Sequence, residues 1–206
     1  MSRLGHTVRV PARVVVLAGP SGAGKSRLAE RLGLPVLRLD DFYKSGGDVT
    51  LPRITSGPNA GIVDWDHPDS WLRDDALAAL ETLCRDGHAE VPVYDIAHDG
   101  RTGWQTLDLN GSPYFLAEGI FAQQVVPVLR ERGGLAAAYC VRQHPFVTFW
   151  RRLTRDLREH RKPPLVLVRR GLDLLRDQRR LVRQAEALGC RAATPDEAYA
   201  EIRALL

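Results

Sequence analysis

The run Gly19-Pro20-Ser21-Gly22-Ala23-Gly24-Lys25-Ser26 satisfies GxxxxGK[ST]. In such a loop the backbone N–H groups and the start of the next helix surround phosphate oxygens, and the lysine adds a mobile cation. On this reading Gly19, Ser21, Gly22, Ala23, Gly24, Lys25, Ser26 and Arg27 line a nucleotide's phosphates. The Ser26 hydroxyl would ligate Mg2+ and Arg27 would stand at the rim. The motif uses one of only three lysines in the chain, the others being Lys44 and Lys162. A β-branched aliphatic run over 13–18 precedes it and helical spacing over 26–32 follows, the strand, loop and helix that the motif requires.

Phosphate binding alone does not separate a kinase from a hydrolase, a switch or a motor, so the acceptor side decides. Asp40-Asp41-Phe42-Tyr43 follows a second strand predicted over 35–39. A carboxylate there can take the proton of an attacking hydroxyl and help hold a metal's water shell. Consecutive extended residues point opposite ways, so one aspartate of the pair is expected to face the cleft. Glu118 ends the apolar run Tyr114-Phe115-Leu116-Ala117, which places a carboxylate at a central strand's end, where it can bind Mg2+ through water. Arg152 and Arg155, three apart, share a helix face and can neutralise transferring phosphate charge.

The elements that must hold these residues alternate between strand and helix. Helical spacing is read over 69–85, 120–131, 145–160 and 168–187, and further strands over 114–117, 135–141 and 190–192. Residues 44–64 read as a long loop, a length that inside a compact domain is often functional. Alternating segments over 90–96 and 102–109 around Asp99-Gly100 read as a β-hairpin that interrupts the alternation. Thr194-Pro195-Asp196-Glu197 reads as the capped start of a last helix. The expected fold class is α/β, a mostly parallel sheet with helices on both faces and ligands at the carboxyl ends of its strands. One domain over 1–206 is expected, with an acceptor-binding insertion at about 44–110 and a lid at about 156–168.

The 206 residues are 44% hydrophobic and 26% charged, which excludes disorder, collagen and a fibrous coil. The net charge of +4 is unevenly spread, because residues 142–183 hold 13 Arg or Lys against four acids. Such a block suggests an anionic ligand, phosphates in a pocket or a nucleic-acid backbone. Nucleic acid is the disfavoured partner, because the block coincides with the helix and lid that phosphates in a pocket need. Three cysteines without a CxxC pair suggest neither a disulfide framework nor a zinc site, and fit a cytoplasmic protein. The aliphatic runs are strand length and predict no membrane span.

The ordered segments resemble the uridine kinase family and its phosphoribulokinase relatives, over roughly residues 13–162. After the phosphate loop come Asp40-Asp41-Phe42-Tyr43, Trp65-Asp66-His67-Pro68, Pro92-Val93-Tyr94-Asp95 with His98 and Arg101, Glu118-Gly119-Ile120, and Arg152-Leu153-Thr154-Arg155-Asp156. The resemblance implies that Asp40 is the catalytic base, that Asp66 hydrogen-bonds ribose hydroxyls, and that Tyr43, Trp65, Tyr94 and His98 enclose the base. It adds Arg101 and Arg152 to the substrate contacts, Asp40 and Glu118 to the metal site, and His160, Arg161 and Lys162 as a lid over the nucleotide. His98 falls one residue sooner after Tyr94 than the family's usual spacing, and Pro163-Pro164 departs from its lid.

The expected activity is ATP- and Mg2+-dependent phosphoryl transfer to the 5′-hydroxyl of a nucleoside, uridine or cytidine first. A P-loop kinase of another small hydroxylated acceptor, such as another riboside, a sugar phosphate or pantothenate, is the alternative. A nucleotide-dependent switch is a third reading, resting on the DxxG match Asp108-Leu109-Asn110-Gly111 without an NKxD segment. A homo-oligomer is left open by the sequence.

Overall fold

The computed structural model describes residues 11–57, 59–143 and 180–206. Its centre is β1 (Arg13–Ala18), in which Val14, Val15, Val16, Leu17 and Ala18 are all fully buried. Val14, Val16 and Ala18 pack into one apolar cluster and Val15 and Leu17 into another, on opposite faces of the sheet. A strand buried on both faces has no polar side, which is why its sequence runs apolar without alternation. Five parallel strands stand in the order β2 (Val36–Arg38), β5 (Tyr114–Glu118), β1, β6 (Leu135–Val141) and β7 (Arg191–Ala193). One face is covered by α1 (Lys25–Leu32) and α4 (Pro195–Leu205), whose Leu28, Leu32, Ala198 and Ile202 meet Val15 and Leu17. On the other lie α2 (Arg73–Asp86), α3 (Val126–Glu131) and the helical residues 180–187. The chain is thus an α/β protein built on a parallel sheet.

β3 (His88–Asp95) and β4 (Gly100–Asp108) stay outside this sheet as a two-stranded antiparallel ribbon. Their connection differs from the tight Asp99-Gly100 turn expected: a 3-10 turn over Ile96–His98 comes first, capped by the Asp95 carboxylate, and Asp99 takes a φ of 47°. α2 also begins later than the spacing suggested. Pro68–Ser70 forms a 3-10 turn of its own, Trp71 is extended, and only then does the helix start. Residues 44–64 are more ordered than a plain loop, with Arg53 and Val63 bridged and the Arg53 Nη1 donating to Gly61 O at 2.7 Å. The helix expected over 145–160, most of that over 168–187 and the lid over 156–168 fall outside the described residues.

Candidate active site

The strand order gathers the chemistry. Lys25 and Ser26 follow β1, Asp40 follows β2 and Glu118 ends β5, and these three strands are neighbours in the order β2-β5-β1. Glu118 stands in register with Leu17 on one side and Arg38 on the other. Residues distant in sequence thereby meet at one edge of the sheet, its carboxyl end.

The loop after β1 is shaped by glycine. Gly19 has a φ of 131°, and a Cβ there would lie 2.3 Å from Val141 O. Gly24 caps α1 in the left-handed region with no side-chain acceptor, and the first turn of α1 carries no acid. The N–H groups opening this helix are therefore left for an anion. Lys25 is buried, its ammonium donating to Gly19 O at 2.8 Å and Pro20 O at 3.2 Å, while Ser26 and Arg27 are exposed at the loop's outer side.

Asp40 and Asp41 lie in a 3-10 turn, Leu39–Phe42, rather than in extended chain, and still part company. Asp40 is exposed and its Oδ1 accepts the Ile120 N–H at 2.9 Å. Asp41 is buried, 3.9 Å from Arg38 Nε, and accepts the backbone N–H of Tyr94. Burial raises its carboxyl above the ordinary aspartate range, with Arg38 pulling the other way. The turn is clamped by Trp71, whose indole N–H donates to Leu39 O at 2.7 Å, and by Leu72 N–H to Phe42 O at 2.9 Å.

Glu118 is the shielded acid of the group. Its Oε2 has no hydrogen-bond partner among the described residues, while Ser26 bonds the carboxylate. Desolvation raises its pKa, opposed by the nearby Lys25 ammonium and the Ser26 bond, and the Asp40 charge adds to the rise. A buried, unpartnered carboxylate oxygen is costly, and a cation is what would offset that cost. A hydroxyl, a shielded carboxylate and an exposed one suit hard, oxygen-seeking Mg2+, which takes only some ligands from protein and others from phosphates and water. Among the described residues no group of three or more His, Cys, Asp or Glu side chains able to hold a metal forms.

Across the cleft Tyr43 is the hub of an aromatic group. Its ring centroid lies 5.8 Å from Trp65, 6.1 Å from Tyr94 and 6.0 Å from Phe121, all tilted or edge-on, and its hydroxyl donates to Trp65 O at 3.2 Å. Burial pushes the Tyr94 phenol up to about 12. His98, exposed at the ribbon's tip, sets Nδ1 2.6 Å from Asp95 Oδ2, and that bond holds the Asp95 carboxyl below its usual range. Asp66 is exposed in the turn beyond Trp65, with its N–H on Asp64 Oδ1. Arg101 is directed elsewhere, its guanidinium 4.6 Å above the Trp104 ring and 3.9 Å from Asp75. Arg152, Arg155, His160, Arg161 and Lys162 lie outside the described residues. Phe121 and Trp71 were missed by sequence reasoning, since each acts on a partner far along the chain, and Arg38, only three residues from Asp41, was missed because nothing in the pattern told which aspartate would be buried beside it.

The DxxG segment has no place at this site. Asp108 Oδ1 accepts the Asn110 N–H in a turn with Asn110 and Gly111 at positive φ, just before β5, whose first residue pairs with Arg13 at the opposite end of β1.

No protein-family model matches the chain. It is 33% identical over 114 residues to the inorganic pyrophosphatase TTM2 of Arabidopsis thaliana, covering 53% of this chain and 15% of that protein, so it spans well under two thirds of this relative's length. It is 26% identical over 170 residues to the uridine kinase of Staphylococcus aureus (strain JH9), covering 79% of this chain and 77% of the relative. A candidate fructose transport system kinase from Silicibacter sp. TM1040 shares the fold, with a TM-score of 0.61 and 17% identity across 92% of this chain and 90% of that one. The fold is shared across most of both chains and the uridine kinase likeness likewise runs through most of both, so the chain is similar to the uridine kinase and phosphoribulokinase-like P-loop family that its ordered segments resemble.

Proposed function

We propose that the protein transfers the terminal phosphoryl group of ATP to the 5′-hydroxyl of a nucleoside, with uridine and cytidine as the first acceptors. The observation that carries this reading is the meeting of Lys25, Ser26, Asp40 and Glu118 at the ends of β1, β2 and β5, with the aromatic group built on Tyr43 directly after the Asp40 turn. The open N-terminus of α1 and the Lys25 ammonium bind the donor's phosphates, Lys25 exchanging its loop carbonyls for phosphate oxygens. Asp40, fixed through Ile120 N–H, accepts the proton of the attacking hydroxyl. Ser26 and Glu118, with Asp40 beside them, would hold Mg2+, which would supply charge neutralisation at the phosphates.

The segment 44–110 forms the acceptor side. Tyr43, Trp65 and Tyr94 offer a wall for a planar base, His98 presents Nε2 while Asp95 occupies Nδ1, and Asp66 meets the ribose diol. Arg152 and Arg155 are assigned to neutralising the transferring group, and His160, Arg161 and Lys162 to covering the nucleotide, on the resemblance of their segment alone. Arg101, turned onto Trp104 and Asp75, has no part in this reading. A Mg2+-ATP consumption assay against uridine, cytidine, adenosine, pantothenate, ribulose 5-phosphate and no acceptor tests the reading, with products identified by mass. Pyrimidine nucleoside monophosphate is the expected product. Turnover only with a non-nucleoside would keep the donor site and overturn the acceptor, and none with any acceptor would overturn the kinase itself.

A further inference from the structure

The second aspartate of the Asp40-Asp41 pair is 8% exposed, and its carboxylate is spent on a backbone group: it accepts the N–H of Tyr94, with Arg38 Nε 3.9 Å from its Oδ2. Tyr94 lies in β3, which pairs with β4 along one edge only. The ladder slips at this point. Val93 faces Gly103 and Tyr94 faces Arg101, so Thr102 is an extra residue in β4. Such a bulge strengthens the local twist and re-aims the side chains beside it. The Tyr94 ring comes to 6.1 Å from Tyr43, and its hydroxyl reaches Lys44 O at 3.5 Å. Beyond it Gly46 N–H donates to Asp99 O at 2.6 Å. These last two bonds join the ribbon to the chain after the catalytic turn, whereas the Asp41 bond joins it to the turn itself.

We propose that Asp41 is a positioning residue, a clip that fixes the acceptor ribbon to the turn bearing Asp40 and so sets the spacing between the aromatic wall that receives the acceptor's ring and the carboxylate that takes its hydroxyl proton. The proposal rests on the kinase reading of the site. A buried carboxylate is costly unless it satisfies a specific donor, and here that donor belongs to the ribbon. Without the clip the ribbon is tied only to the chain beyond the turn, through Lys44 O and Gly46 N–H, and its placement against Asp40 loosens, while the donor site, built on β1 and α1, is untouched. Misplacement of this kind costs reactivity through lost orientation.

The test compares Asp41→Ala, which removes the acceptor oxygen, with Asp41→Asn, which keeps one for Tyr94 N–H. Asp41→Ala should raise the acceptor KM about tenfold and leave the ATP KM within about twofold, and Asp41→Asn should restore most of the loss. Amide hydrogen exchange at Tyr94 should quicken in Asp41→Ala and stay protected in Asp41→Asn. Should Asp41→Ala not fold, Asp41→Leu fills a similar volume without an acceptor oxygen. Unchanged Tyr94 exchange, equal effects on both substrates, or Asp41→Asn as damaging as Asp41→Ala would overturn the clip. If the native protein phosphorylates no acceptor, the kinase reading fails separately, and the exchange measurement still decides the contact.

Discussion

Asp40 and Glu118 divide the acid chemistry through their surroundings. Asp40 is exposed and hydrogen-bonded by one backbone donor, which leaves capacity for a hydroxyl proton. Glu118 is shielded, raised in pKa by burial, and has one oxygen without a partner among the described residues. Asp40→Asn should therefore lower kcat by about 10²- to 10⁴-fold with the ATP KM little changed, measured in steady-state kinetics. Comparable turnover in that variant would remove Asp40 from the base role. Glu118→Gln keeps the shape and drops the charge, so the Mg2+ concentration for half-maximal rate should rise about tenfold. In EDTA the same variant should melt no lower than the native chain, because the uncompensated charge is gone. A clear loss of melting temperature in EDTA would show that Glu118 already has a partner in the protein.

At the scale of elements, the turn carrying Asp40 is seated on the segment that follows β5. A Cβ on Gly119 would lie 2.9 Å from Asp40 Oδ1 and 2.9 Å from Leu39 Cβ, where no real side chain fits. Gly119→Ala should push the turn off its seat and cost about 10²-fold in kcat, while a fluorescent ATP analogue still binds. Normal turnover would mean that the turn adapts freely. Much of this frame was legible in the sequence, because β1 and β6 declare themselves by unbroken apolar runs and the phosphate loop by its glycines. The details that aim the acceptor side were not. Trp71 breaks the expected helix over 69–85 so that its indole can reach Leu39 O, a tertiary bond with no local signature. Asp41 could not be told from Asp40 by pattern, since its partner is a backbone N–H on a ribbon whose register is set by a bulge.

At the scale of the molecule, the phosphate loop depends on the far end of the chain. α1 is backed by α4 through Leu28, Leu32, Ala198 and Ile202, with Arg31 donating to Asp196 at 2.7 Å and lying 4.3 Å above the Tyr199 ring. α4 is started by a full capping box: Thr194 Oγ1 accepts Glu197 N–H, and the Glu197 carboxylate accepts Thr194 N–H at 2.7 Å. Those bonds to Thr194 hold the Glu197 carboxyl below its ordinary value. A carboxylate whose pKa is lowered on folding contributes stability that is complete above its unfolded pKa and is lost as pH falls through the folded one. Thr194→Ala should cost about 1 kcal/mol at neutral pH. The gap in melting temperature between the native chain and Glu197→Gln should be widest at neutral pH and should close on acidification below the ordinary glutamate range. A gap that stays constant with pH would show that the charge on Glu197 takes no part in the cap. Neither variant touches the phosphate loop, so activity per folded molecule should hold in both. A fall in kcat without a fall in folded fraction would mean that α4 sets the geometry of α1 as well as its stability.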